Sequence, residues 1–121
     1  MNLIIDVGNS FVKTAVFNCN DIVELNQNIK HEHIEQHVDE LHKKHPKIEN
    51  AILSSVALLP QASLKKFENT HKVFVLANHK TPVPITNNYG SPKTLGFDRL
   101  AAAVGANNIY PNRNVVVFDA G

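Results

Sequence analysis

The sequence predicts an α/β domain built on a mixed β-sheet with flanking helices, and three observations lead there. Apolar runs of strand length alternate with helix-like stretches in the order β-β-β-α-β-α-β, followed by a long loop, another helix and a last strand. The first three runs are separated only by short turn segments, so they form an antiparallel meander. The later strands are separated by helices, which is how parallel strands are joined.

Leu3-Ile4-Ile5 is a short apolar run ending at Asp6. Gly8-Asn9 then leads into a second strand from Phe11 to Phe17, where β-branched Val12 and Val16 favour the extended backbone. Asn18-Cys19-Asn20-Asp21 supplies turn chemistry before a third strand, Ile22-Val23-Glu24-Leu25. Ile34, Val38 and Leu41 recur at i, i+4 and i+7, placing one apolar stripe on a helix over His33 to Lys44 that Pro46 stops. Ala51-Ile52-Leu53 reads as a buried strand, Pro60 to Phe67 as a short helix with proline in its first turn, and Val73 to Leu76 as a further strand. Thr81 to Pro92 holds three of the six prolines and is a loop; long loops in compact domains often carry function. Asp98 to Asn108 is a helix whose alanines permit close packing, and Val115 to Phe118 is a last apolar strand.

Composition narrows the classes of function. At 121 residues and 13.4 kDa, with 43% hydrophobic and 19% charged residues, the chain suits one globular domain rather than a disordered segment. Twelve Lys and Arg against eleven Asp and Glu leave a formal charge of +1, too small a field for nucleic acid or an anionic membrane to be the partner. A lone cysteine, Cys19, together with no signal pattern and no long apolar run, points to a cytoplasmic protein. The chain ends on Asp119-Ala120-Gly121, a strand entering a turn, so a second half is expected to begin there.

Three places can carry chemistry. Asp6-Val7-Gly8-Asn9-Ser10 puts a carboxylate at a strand end, able to hold a hydrated divalent cation. Its Gly and Asn permit the positive φ that would aim backbone N–H groups at phosphate oxygens; an ordinary hairpin turn is the competing reading. Lys13, just beyond, is read as a solvated strand residue. Gly96-Phe97-Asp98-Arg99 opens the helix after the proline-rich loop that contains Tyr89. Asp98 there is either a helix cap or a proton acceptor beside an arginine able to pair with a carboxylate or phosphate. Asp119-Ala120-Gly121 repeats the pattern strand, Asp, small or apolar residue, Gly, which suits two related lobes facing one nucleotide.

Five histidines, at 31, 33, 37, 42 and 45, crowd the first helical segment. His33 and His37 have the i, i+4 spacing of metal ligands, but the apolar stripe claims the buried face and leaves them toward solvent as surface histidines.

Taken together, these motifs resemble the type III pantothenate kinases, bacterial enzymes of coenzyme A biosynthesis. Asp6-Val7-Gly8-Asn9-Ser10 looks like the family's D-x-G-N-[ST] phosphate motif. Ser54-Ser55-Val56 resembles its S-x-V stretch, and the segment Tyr89 to Arg99 is similar to Y-x-x-P-x-x-[LV]-G-x-D-R, the most specific of the signals. Asp119-Ala120-Gly121 looks like the start of a second phosphate motif. The resemblance implies a ribonuclease H-like lobe of the actin, sugar kinase and heat-shock ATPase superfamily over residues 1–112, with 113–121 the first strand of a second lobe. It also implies ATP and pantothenate as substrates, a homodimer, Mg²⁺, and a monovalent cation, K⁺ or NH₄⁺. By the same resemblance Asp6 serves Mg²⁺ and the ATP phosphates, while Gly8, Asn9 and Ser10 line the phosphate turn. Asp98 is the general base, Tyr89, Gly96 and Arg99 hold pantothenate, and Asp119 serves the monovalent cation. The alternatives are another small-molecule kinase of the superfamily, acting on a sugar or acetate, and a non-catalytic regulatory protein of this fold.

Overall fold

The structure is a computed structural model that describes residues 1–118. It divides into two compact units, Met1–Leu76 and Ala77–Gly121.

In the first unit, β1 (Asn2–Val7), β2 (Val12–Asn18), β3 (Asp21–Ile29), β4 (Asn50–Ser55) and β5 (Val73–Leu76) form one sheet in the order β3-β2-β1-β4-β5. β1–β2 and β2–β3 are antiparallel, whereas β1–β4 and β4–β5 are parallel, so the meander and the crossover half meet at β1. The crossovers are α1 (Ile34–Lys44), preceded by a 3₁₀ turn at His31–His33, and α2 (Gln61–Thr70), with Pro60 at its N-cap.

Register explains which face is buried. Leu3 lies opposite Val16 and Ala51, and Ile5 opposite Thr14 and Leu53, so these residues share one face of the sheet. That face packs against Ile34, Val38 and Leu41 of α1 and Phe67 of α2. Full burial of such side chains contributes roughly 1.5–3 kcal/mol each. The exposed pairs Lys66 to Asp39 (2.8 Å) and Lys72 to Glu49 (4.0 Å) contribute about 0–1 kcal/mol each, so the sheet–helix core carries the stability. Ile4, Asp6, Ile52 and Ser54 fall on the opposite, partly exposed face.

β3 runs four residues beyond the expected strand. Asn26, Gln27 and Asn28 carry no strand signal, yet β2 supplies ladder partners as far as Ile29. The register slips twice along this pair, and Asn28 at φ 60° sits beside the slip between Val12 and Thr14, the left-handed backbone that a bulge uses. Cys19, at φ 54° in the β2–β3 turn, is likewise left-handed.

The second unit contains irregular chain from 77, a 3₁₀ turn at Pro92–Thr94 and α3 (Phe97–Ile109). The strand expected over Val115 to Phe118 is not formed: these residues have no ladder partner and are exposed. A strand needs a neighbour's N–H and C=O groups, and no described segment offers them here. Instead Val115 and Val117 join Ala103, Ala106, Asn107 and Arg113 in lining a shallow cavity of about 170 Å³. No helix among the described residues is long and apolar enough to cross a membrane.

The histidine-rich segment is woven into the fold rather than turned to solvent. His33 is exposed, but His37 is half-buried and its Nε2 lies 2.9 Å from the hydroxyl of buried Thr14. The sequence reading of His37 as a solvent-side residue is corrected by that contact, which follows from Thr14 facing α1. Among the described residues no three His, Cys, Asp or Glu groups converge as a metal site. His45 donates to the Glu24 carboxylate at 2.6 Å, and Lys44 reaches the same oxygen at 2.8 Å. Lys44 first and His45 second hold the Glu24 carboxyl down to about 2. That stabilisation is present above the ordinary Glu range and is lost as pH falls toward 2.

His71 donates from Nδ1 to the Phe67 carbonyl (2.6 Å), which leaves its Nε2 to accept from His42 Nε2 at 3.0 Å. Burial lowers the His42 pKa, with repulsion from His71 adding to it, and burial lowers that of His37 also. Both rings therefore resist protonation in the folded state while the unfolded chain titrates near 6.5, the ordinary value for histidine. Stability is expected to hold above that value and to fall as pH drops below it. Urea midpoints at pH 7.5 and 5.5 check this, and His42→Gln is expected to remove part of the difference.

Candidate functional site

β1 and β4 are parallel and end side by side, with Asp6 paired to Ser54 and Val7 to Ser55. In α/β sheets the carboxyl ends of parallel strands are where ligands bind. Asp6 sits on the partly exposed face at that edge, and the turn Gly8-Asn9-Ser10-Phe11 begins two residues later.

The turn is held by three contacts. The Gly8 N–H donates to the Phe11 carbonyl (3.1 Å), the Val56 N–H donates to the Val7 carbonyl (3.0 Å), and His31 Nε2 donates to the Gly8 carbonyl (3.0 Å). Among the described residues nothing accepts from the N–H groups of Asn9 or Ser10, and both residues are exposed. The expectation of positive φ is corrected here: neither Gly8 nor Asn9 is left-handed. Glycine is favoured at 8 by close approach, since a Cβ there would lie 3.1 Å from the Phe11 carbonyl oxygen, which would have to give by a few tenths of an ångström. Sequence reasoning therefore found Gly8 through the wrong property. It missed His31 altogether, because a backbone carbonyl partner 23 residues away leaves no mark in a side-chain pattern.

In the second unit Gly96, Asp98 and Arg99 share the first turn of α3, and Asp98 and Arg99 are exposed. The N-cap is Gly96, with φ −57° and ψ 134°, so Asp98 lies at the second helical position and is not the cap. An added Cβ at Gly96 would collide with Asp98 Oδ1, so glycine makes the space in which the carboxylate folds back over the helix start. Tyr89 is half-exposed, and its N–H donates to Asn87 Oδ1 at 3.0 Å. Ser91 and Thr94 close the 3₁₀ turn between Tyr89 and α3 through paired hydroxyls 2.6 Å apart. Asp6, Gly8, Asn9 and Ser10 thus come together in one unit, and Gly96, Asp98 and Arg99 in the other; Asp119 lies outside the described residues.

Chemically, the first group offers a carboxylate beside unpaired backbone donors, an arrangement suited to a metal-bound phosphate. The second offers a carboxylate and a guanidinium at a helix start, suited to a small molecule with a hydroxyl and an acid group.

Comparison with known proteins gives the family. The family model described as type III pantothenate kinase matches residues 2–121. The chain is 40% identical over its whole length to type III pantothenate kinases of Christiangramia forsetii and Phocaeicola vulgatus, and 35% identical to that of Flavobacterium johnsoniae, covering 49% of each. It thus spans about half the length of the curated relatives it matches. The mixed five-stranded sheet with its helices is the actin, sugar kinase and heat-shock ATPase type of lobe. With the match running from residue 2 to residue 121 through both groups of candidate residues, the chain belongs to the type III pantothenate kinase family.

Proposed function

We propose that this chain is the N-terminal part of an ATP-dependent kinase that phosphorylates pantothenate, the first step of coenzyme A biosynthesis. The observation that carries this reading is the family match over residues 2–121, and the presence of one candidate carboxylate in each unit, Asp6 and Asp98, supports it. A primary hydroxyl is a poor nucleophile at neutral pH, so the reaction needs one acid near the transferred phosphoryl group and another near the acceptor.

Asp6 and the turn after it take the donor side. Mg²⁺ is ordinarily held by one or two carboxylates together with substrate phosphates and water, so a single carboxylate beside a phosphate turn fits it without a cluster of protein ligands. When bound, the metal neutralises phosphoryl oxygens. The N–H groups of Asn9 and Ser10 donate to phosphate, with Gly8 allowing the turn to close under them. On the acceptor side Asp98 orients the pantothenate hydroxyl and takes its proton, Arg99 pairs with the pantothenate carboxylate, and Tyr89 and Gly96 complete the pocket. Asp119 serves K⁺ or NH₄⁺, and residues 113–121 open a second lobe. The whole enzyme is a cytoplasmic homodimer.

The test is phosphorylation of pantothenate by the full-length gene product with ATP and Mg²⁺ in potassium, ammonium and sodium buffers. Turnover that depends on ATP and on potassium or ammonium is expected. Activity on sugars or acetate but not pantothenate would assign another kinase of the superfamily, and ATP binding without any transfer would assign a regulator. The 121-residue chain alone is expected to show no turnover, because it spans about half the length of the curated relatives it matches.

A further inference from the structure

Gly8 lets the turn close on the Phe11 carbonyl, and it leaves the peptide after it without a Cβ on that side to fix its rotation. The peptide linking Gly8 to Asn9 rotates about ψ of Gly8, which glycine leaves unhindered, and φ of Asn9, a residue type that tolerates both signs. In a planar trans peptide the C=O of one residue and the N–H of the next point in opposite directions. A flip would therefore exchange the Asn9 N–H for the Gly8 carbonyl on the side meant for an anion, replacing attraction by repulsion.

One contact in the structure opposes this. His31, in the 3₁₀ turn ahead of α1, lies 3.0 Å through Nε2 from the Gly8 carbonyl oxygen. A carbonyl only accepts, so Nε2 carries the proton. The turn that carries His31 is fixed: Ile34, three residues on, is buried in the core, and the His33 N–H closes the turn onto the Lys30 carbonyl at 3.0 Å. The Gly8 N–H and the Val7 carbonyl are engaged by Phe11 and Val56, so the peptide before Gly8 is fixed from both sides, and among the described contacts the Gly8–Asn9 peptide is held by His31.

We propose that His31 is a positioning residue for the phosphate turn: by latching the Gly8 carbonyl it aims the Asn9 N–H at the ATP phosphate. The inference rests on the functional reading given above for the ligand, but not for the latch itself. His31 touches neither nucleotide nor acceptor and acts only through the peptide it holds.

In the full-length protein, MgATP titration followed at the Asn9 amide resonance is expected to give about 5- to 10-fold weaker binding in His31→Ala, the loss of one hydrogen bond's net contribution. The KM for ATP should rise by a similar factor while the KM for pantothenate stays within about 2-fold of wild type. His31→Gln, whose amide can donate to the same carbonyl, should recover most of the loss. Unchanged ATP binding in His31→Ala, or an equal rise in both KM values, would overturn the proposal. The ring nitrogens give an independent readout, since ¹⁵N shifts of His31 should report the Nε2–H form, and the Nδ1–H form would exclude the latch. If the wild type binds MgATP but transfers nothing to pantothenate, the functional reading fails, and the Asn9 titration and ring tautomer still decide the role of His31.

Discussion

Replacing Asp98 by Asn in the full-length enzyme is expected to slow pantothenate phosphorylation by ~10²-fold or more, with little change in ATP affinity. Asparagine keeps the size of the side chain and can still hydrogen-bond the acceptor hydroxyl, but it cannot accept the proton. The effect should therefore fall on kcat. A competing account would make Asp98 a helix cap, and the structure weighs against it because Gly96 occupies the N-cap and Asp98 lies two positions further on. What remains for a purely structural Asp98 is the attraction of a carboxylate for the helix N-terminus, about 0.3–1 kcal/mol at an exposed position. Asp98→Asn should thus lower the melting temperature slightly while lowering kcat greatly. Near-normal turnover in this variant would remove the general-base role.

Asp6→Asn should behave differently. Its carboxylate is proposed to hold Mg²⁺ against the phosphates, so its loss should raise the Mg²⁺ concentration for half-maximal rate by ~10-fold or more, equivalent to about 1.4 kcal/mol or more. The maximal rate should fall as well, because the phosphoryl group is less well placed. A magnesium titration of wild type and variant separates the two carboxylates: Asp98→Asn leaves the midpoint where it was, and Asp6→Asn moves it. An unmoved midpoint in Asp6→Asn would mean that Asp6 serves the sheet edge and not the metal. Asp6 is paired with Ser54 in the ladder, so a control melt of the variant checks that the strand ends remain together.

The Asp6 turn and the Gly96–Arg99 helix start were both legible as elements in the sequence because their signals are local. A carboxylate at the end of an apolar run, a Gly-Asn pair after it, and Gly-x-Asp-Arg at a helix start are each decided within a few residues. The stripe of Ile34, Val38 and Leu41 placed α1 for the same reason: helical periodicity is a property of neighbouring residues, and the structure buries all three. Even there the physical reason could be misjudged. Gly8 was legible as a special residue, but whether it served a left-handed backbone or a close contact depended on where the Phe11 carbonyl would lie.

What only the tertiary structure decided is where distant groups meet. Asn26 to Ile29 became strand because β2 offered hydrogen bonds to them, against their own weak preference. Val115 to Phe118 read as strand and did not become one, since apolar β-branched residues cannot form a ladder without a neighbour. His31, His37, His42 and His45 read as part of one crowded segment, but folding sent them to a backbone carbonyl, a buried hydroxyl, a second imidazole and a carboxylate. By itself the sequence determined the order of elements from β1 to α3, the two carboxylate motifs and the family they belong to, all of which rest on short-range pattern. The strand order, the bulged edge and the contact on the Gly8 carbonyl depend on pairings as far as 48 residues apart in the chain, and a hydrogen bond to a backbone group is indifferent to which side chain that residue bears.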